Sequence, residues 1–194
     1  MKIKISGASE KCKLPHTQVH SLLDNQLLIF LRSWNGIDAN QKVVDEIMHF
    51  LSAANADIEV TTPFEFIENL SSLANKVRIS ILLANDSIYK TENKEKYLQG
   101  YEVAIILKNQ QELAWSTVGR FEIMAIKNEK HISITNAGQF LDDQVLLPVA
   151  LLGLERDPSV LTGSLSVKNL EKINIQSSFD QQATLWQAII SDFV

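Results

Sequence analysis

The strongest constraint on the fold is a change of hydrophobic period near residue 100. Residues 101–108 (YEVAIILK), 112–118 (ELAWSTV), 121–127 (FEIMAIK) and 131–135 (HISIT) carry apolar side chains at alternate positions or nearly throughout. A period of two lines one face of an extended chain, so each segment predicts a β-strand. Asn109-Gln110, Gly119-Arg120 and Asn128-Glu129 separate them. Links this short favour antiparallel hairpins, because a parallel crossover needs a dozen residues or more.

Upstream the pattern is mixed. Residues 2–6 alternate polar and apolar and predict a first strand; 17–23 predict a second. Residues 27–33 (LLIFLRS) are bulky and apolar enough for a central strand. Asn35-Gly36 then marks a tight turn, since both residues tolerate positive φ. A helix is expected from about Ala39, where Val43, Ile47, Phe50 and Leu51 recur at helical spacing and Val44 and Met48 widen the stripe. Thr61-Thr62 followed by Pro63 reads as a cap and first turn. A second helix is expected over 64–89, with Phe66, Ile67, Leu70, Leu73, Ala74, Val77, Ile81, Leu82 and Ile88 buried and a point of breakage at Ser71-Ser72.

Beyond the meander, residues 145–154 are apolar, but Pro148 leaves their class open. Residues 164–167 and 173–177 read as a further strand pair. Residues 184–193 read as a closing amphipathic helix around Leu185, Trp186, Ile189 and Ile190. No repeat, low-complexity stretch or linker divides the chain, so 1–194 is read as one domain. Strands, paired helices, a meander and a last helix make an α+β order, in which helices cover sheets.

Composition narrows the function classes. The chain has 194 residues, 45% of them hydrophobic, enough for a sizeable core. No apolar run approaches the roughly 20 residues that span a bilayer, and residues 1–5 lack the apolar segment of a signal peptide. A cytoplasmic protein without a membrane partner is expected. The net charge of −5 and scattered Lys and Arg argue against nucleic acid. The run from Lys90 to Lys96 alternates with Glu92 and Glu95 and reads as a solvated helix end. Cys12 is the only cysteine, which excludes an internal disulfide or a cysteine-cluster metal site. His16, His20, His49 and His131 lack zinc-ligand spacing. Trp34, Trp115 and Trp186 read as core or rim anchors.

The order of motifs resembles the type 2C metal-dependent Ser/Thr phosphatases over nearly the whole chain. The strand, Asn35-Gly36 turn and helix stand where that family has a strand, an Asp-Gly-x-Gly-Gly turn and a helix. Pro15-His16-Thr17 falls at its Asn-Glu-Asp or Asn-Gln-Asp motif, and Gly100-Tyr101-Glu102 at its Gly-Thr-Thr. Val118-Gly119-Arg120-Phe121-Glu122 is similar to its Val-Gly-Asp-Ser-Arg hairpin. Leu151-Leu152-Gly153 resembles its Ala-Leu-Gly, and residues 167–179 (VKNLEKINIQSSF) resemble the approach to its Ser-Asp-Gly. The resemblance implies a four-layer α-β-β-α sandwich, two antiparallel sheets flanked by helices, in a bacterial-type protein.

The chemistry of the family does not carry over residue by residue. Its metal-bridging Asp is Asn35 here, its Ser-Asp-Gly Asp is Ser178, and Arg120 stands at the hairpin Asp. Mg²⁺ and Mn²⁺ want anionic oxygen ligands, and a neutral amide cannot bridge two cations as a carboxylate can. A fixed guanidinium repels a cation. The resemblance therefore implies a pseudophosphatase with no catalytic residues and no cofactor. Its partner would be a protein, a phosphoprotein among the candidates, bound at a degenerate cleft of Trp34, Asn35, Gly36, Asp38, Arg120 and Ser178. Arg120 suits a phosphate or carboxylate there, though a surface salt bridge is its commoner role.

Three alternatives stay open. An active Mg²⁺- or Mn²⁺-dependent phosphatase could draw displaced ligands from Asp38, Asp142, Asp143 and Asp157, with Asp192 a remnant of the last family motif. Asp38 more readily suits a helix N-terminus, as a cap or beside the helix dipole. A structural subunit could pair a sheet edge or helix face with its own copy. The proteasome-like amidohydrolases share the layered architecture, but would need Ser6 or Cys12 exposed as a new terminus.

Overall fold

The computed structural model describes residues 1–6, 15–34, 40–55, 62–96, 99–135, 150–177 and 185–190. The strands are β1 (Lys2–Ser6), β2 (Thr17–Leu22), β3 (Leu27–Ser33), β4 (Tyr101–Lys108), β5 (Glu112–Val118), β6 (Phe121–Lys127), β7 (Lys130–Ser133), β8 (Leu161–Ser166), β9 (Leu170–Ser177) and β10 (Leu185–Ile189). The helices are α1 (Asn40–Asn55) and α2 (Ser72–Lys90). They build two antiparallel five-stranded sheets, ordered β1-β10-β9-β6-β7 and β2-β3-β4-β5-β8. The α+β class, with two antiparallel sheets and a pair of helices, is thus as expected. Both helices lie against the β2–β8 sheet, α1 on β3 and α2 on β4, β5 and β8.

Two apolar layers hold this arrangement. Alternate residues of β3 and β4 divide between them, as a period of two requires. Leu27, Ile29, Leu31, Val103 and Ile105 face the helices, meeting Val43, Ile47, Leu51, Val77 and Ile81. Leu28, Phe30, Ala104 and Ile106 face the other sheet, meeting Phe121, Ile123, Ile173, Ile175 and Trp186. Phe30, Phe121 and Trp186 form a cluster of tilted and edge-on rings at 5.6–6.5 Å between centroids. Such geometry stabilises aromatic pairs beyond their buried area. Trp115 and Trp186 are core anchors, as expected.

Three expectations need correction. The closing segment is not a helix: residues 185–189 form β10, hydrogen-bonded between β1 and β9. Trp186, Ala188 and Ile190 all turn into the inter-sheet core. Leu, Trp and Ile spaced this way satisfy either period, and two waiting strand edges decide for the strand. The second helix begins at Ser72, not residue 64. Ser71 is its N-cap, accepting from the Ala74 N–H at 3.1 Å. The Asn75 side chain holds the preceding loop, accepting from the Ile67 N–H and donating to the Ile67 and Leu70 carbonyls. Phe66 and Ile67, expected to be buried, are therefore exposed. Thr62 accepts from the Phe64 N–H in a local turn without starting a helix.

The third correction concerns pairing. β4–β5 and β6–β7 are hairpins, the latter turning on Asn128 and Glu129 at φ 49° and 61°. β5 and β6 are not: Gly119-Arg120 carries the chain from one sheet to the other. Likewise β8 pairs with β5 while β9 pairs with β6 and β10, so the two are no strand pair.

Candidate functional site

The crossover at Gly119-Arg120 defines one end of the sandwich. The antiparallel register sets Thr17 opposite Arg32 and Arg32 opposite Glu102, one row across β2, β3 and β4. Val103 pairs with Val118, so Glu102 lies beside Gly119. This row places an arginine and a glutamate where β3 and β4 would otherwise be apolar.

Arg32 and Glu102 form a buried ion pair, Nη1 to Oε2 at 2.7 Å, with side-chain exposures of 4% and 0%. The Arg32 Nε and Nη2 also donate to Thr17 Oγ1 at 3.2 and 3.0 Å. The guanidinium carbon lies 5.3 Å from the centroid of the Phe121 ring, a cation–π contact within the favourable range. Glu102 uses its second oxygen as well: Oε1 accepts the Arg120 backbone N–H at 3.0 Å. A charge-assisted pair with its remaining lone pairs satisfied is the one form in which burying two ions is tolerable.

Gly119 makes room for this. Its φ is +95°, and a Cβ there would lie 2.6 Å from Glu102 Cγ. The glycine lets the crossover pass over the carboxylate and bring the Arg120 N–H onto it. Arg120 itself is buried, at 4% exposure.

A second tier fixes the start of β4. Trp34 donates its backbone N–H to the Gly100 carbonyl at 3.0 Å, and Tyr101 exchanges both main-chain bonds with Leu152. Residues 150–154, unassigned from sequence, thus form a bridge beside β4. Asn93 clamps them: its Nδ2 donates to the Gln99 and Gly153 carbonyls, and its Oδ1 accepts the Gln99 N–H. Asn93 is buried, although the run containing it is read from sequence as solvated. Lys90, Lys94, Glu95 and Lys96 are exposed as expected.

Of the cleft residues expected from sequence, Trp34 and Arg120 are both at this end, Trp34 half-buried. Asn35, Gly36, Asp38 and Ser178 lie outside the described residues, as do Cys12, Asp142, Asp143 and Asp192. Asp157, a displaced-ligand candidate, is exposed on a turn whose neighbouring carbonyls, those of Glu155 and Arg156, bind Asn85 of α2. It therefore sits on the helix side. Thr17, Arg32 and Glu102 are what sequence reasoning missed. Their signal was present: opposite charges interrupting LLIFLRS and YEVAIILK, two strands otherwise apolar enough to be buried.

The donor set bears on the metal chemistry of the resembling family. Among the described residues no group of three or more His, Cys, Asp or Glu side chains could hold a metal ion. Glu102 is committed to Arg32 and to the Arg120 N–H. A divalent cation at that carboxylate would face a buried guanidinium a few ångströms away, a repulsive arrangement in a low-dielectric interior. The described residues do not fit a dinuclear centre.

Comparison with known proteins supports the fold. No family model and no curated protein matches the sequence. Solved structures match throughout. The serine/threonine phosphatase Stp1 from Staphylococcus aureus superposes with a TM-score of 0.61 at 14% identity, over 98% of this chain and 94% of that one. The catalytic domain of the serine threonine protein phosphatase PstP, in complex with two manganese ions, gives 0.60 at 12% identity, over 98% and 99%. PppA, a regulatory component of the type VI secretion system in Pseudomonas aeruginosa, gives 0.59 at 10% identity, over 91% and 74%. The chain has the two-sheet sandwich fold of the bacterial type 2C Ser/Thr phosphatases.

Proposed function

We propose that this protein is a catalytically inactive, phosphatase-like binding module of the bacterial cytoplasm. It acts as a regulator or scaffold by engaging a protein partner, a phosphoprotein among the candidates. The cleft of Trp34, Asn35, Gly36, Asp38, Arg120 and Ser178 is the recognition surface, with half-buried Trp34 open to a partner and Arg120, at 4% exposure, holding Glu102 through its backbone N–H. No catalytic residue and no cofactor is assigned.

The observation that carries this reading is the Arg32–Glu102 pair. A two-metal phosphatase needs carboxylates free to ligate, so that a bridging water becomes a nucleophile at neutral pH. Glu102 stands at the family's Gly-Thr-Thr and not at a ligand position, and it cannot serve as a displaced ligand either, because the chain's own guanidinium neutralises it from 2.7 Å. The replacements at Asn35 and Ser178 in the sequence point the same way. The fold alone does not decide function. The competing reading, an active Mg²⁺- or Mn²⁺-dependent phosphatase with displaced ligands, draws support from the manganese-bound neighbour.

Calorimetric titration with Mn²⁺ separates the two. The proposal expects no binding at millimolar metal and no Mn²⁺-dependent hydrolysis of a phosphoserine peptide. Two tight sites would overturn it and make Asp38 and Asp192 the first residues to substitute.

A further inference from the structure

We infer that β8 is a self-complementary edge, through which two copies of this chain pair into one continuous ten-stranded sheet. The proposal rests on no part of the reading of the cleft.

The edge is open among the described residues, since β8 ends its sheet with β5 as its partner. The direction of its main-chain groups follows from the register. Val167 N–H donates to the Gln111 carbonyl, the pair that extends the Glu112–Ser166 register by one residue. In an antiparallel ladder bonded pairs alternate. Leu161, Gly163 and Leu165 therefore bond to β5, while Thr162, Ser164 and Ser166 point their N–H and C=O groups outward. The Ser166 carbonyl accepting from the Lys127 ammonium, 3.4 Å away, agrees with this.

Edge strands are normally protected by charge, proline or a bulge. β1 carries Lys2 and Lys4, and β7 is a four-residue strand carrying Lys130 and His131. The sequence of β8, LTGSLS, has no charge and no proline, and its register with β5 is regular. Leu161 is 45% exposed, one of four large apolar side chains left in water among the described residues.

The occupant follows from the sequence of the strand. Leu161-Thr162-Gly163-Ser164-Leu165 reads nearly the same in both directions about Gly163. A twofold axis normal to the sheet keeps each face on its own side, so residues directly opposite must share a face. The register centred on Gly163 satisfies this. It sets Leu161 against Leu165 of the second copy on the inter-sheet face, and Thr162 against Ser164 on the helix face. Each Thr162–Ser164 pair is then a bonded pair exchanging both main-chain hydrogen bonds, and the Leu pairs are the closer, non-bonded kind. Gly163 meets Gly163 on the axis. Its inter-sheet side is covered by the Trp115 indole, which a Cβ would meet at 2.7 Å. The contact is isologous and closes as a dimer.

Sedimentation equilibrium of the full chain tests this. The mass is expected to rise from 21.8 kDa to twice that between micromolar and sub-millimolar protein. Ser164→Pro removes an outward N–H on an edge, a position that tolerates proline. It is expected to weaken association on the order of 100-fold, since each dimer loses two hydrogen bonds. Leu161→Lys, at an exposed position, is expected to do the same and decides the matter if the proline variant fails to fold. Monomer mass at every concentration overturns the proposal, as does a dimer unaffected by either folded variant.

Discussion

Replacing both members of the Arg32–Glu102 pair is expected to cost far less than replacing either one. Glu102→Met leaves the Arg32 guanidinium at 4% side-chain exposure without its carboxylate, Thr17 Oγ1 and the Phe121 face being among its remaining contacts, and takes the acceptor from the Arg120 backbone N–H. Arg32→Met leaves a fully buried carboxylate with one backbone donor. Breaking a buried pair this way costs about 3–5 kcal/mol. For a domain of this size that lowers Tm by about 6–20 °C. The double variant removes both charges and keeps similar volume, a change that is often neutral or stabilising. Urea denaturation of the wild type, both singles and the double closes the cycle. The expected coupling is about 3 kcal/mol or more, well beyond the additivity of independent sites. If each single costs under about 1 kcal/mol, the pair is behaving as a solvated surface contact. If the double costs the sum of the singles, the two residues are uncoupled. Either result refutes the argument that the chain's own ion pair closes this end of the sandwich.

Two other expectations come from the same strand and its neighbour. Gly119→Ala forces a side chain to φ +95° and against Glu102 Cγ, and is expected to destabilise by about 2–6 kcal/mol through strain and overpacking; a change in Tm within a degree of wild type would show that the crossover can move aside. At the other end of β4, burial holds the Lys108 ammonium below its ordinary value of 10.5. Between the folded value and 10.5 the unfolded chain binds more protons, so the penalty is full at lower pH and fades as pH rises toward 10.5. The stability difference between Lys108→Met and wild type is therefore expected to shift in favour of wild type as pH rises from neutral toward 10, as read from urea midpoints across that range; a difference independent of pH would assign it to packing instead.

The pattern of charge on β4 shows what could be read early and what could not. Its inter-sheet face runs Glu102, Ala104, Ile106, Lys108, an acid and a base enclosing an apolar centre. The alternation identifies the strand, but not which face meets a second sheet and which meets helices, because both faces are buried. Only the register with β3 reveals that Glu102 has Arg32 for a partner. Trp34 and Arg120 lie at one end of the sandwich, but the ion pair beside them joins residues 70 apart in sequence, a separation that no local pattern encodes.

By itself the sequence determined the strands with a clean period of two, the α1 stripe, and the turn at Asn128-Glu129, because these rest on local sterics and on burying one face. It also carried the order of elements that resembles the phosphatase fold. The tertiary structure decided everything that depended on which edge was available. Residues 185–190 can bury their apolar side chains at either period, and became a strand because β1 and β9 offered unpaired main-chain groups on both sides. Residues 64–71 have helical spacing but lose the helix to Asn75, whose side chain satisfies the loop backbone instead. Gly119 and Arg120 look like a hairpin turn and act as a crossover, because β5 already has β4 and β8 on its two edges. Hydrogen-bonding capacity, unlike hydrophobic periodicity, is assigned only when every partner is in place.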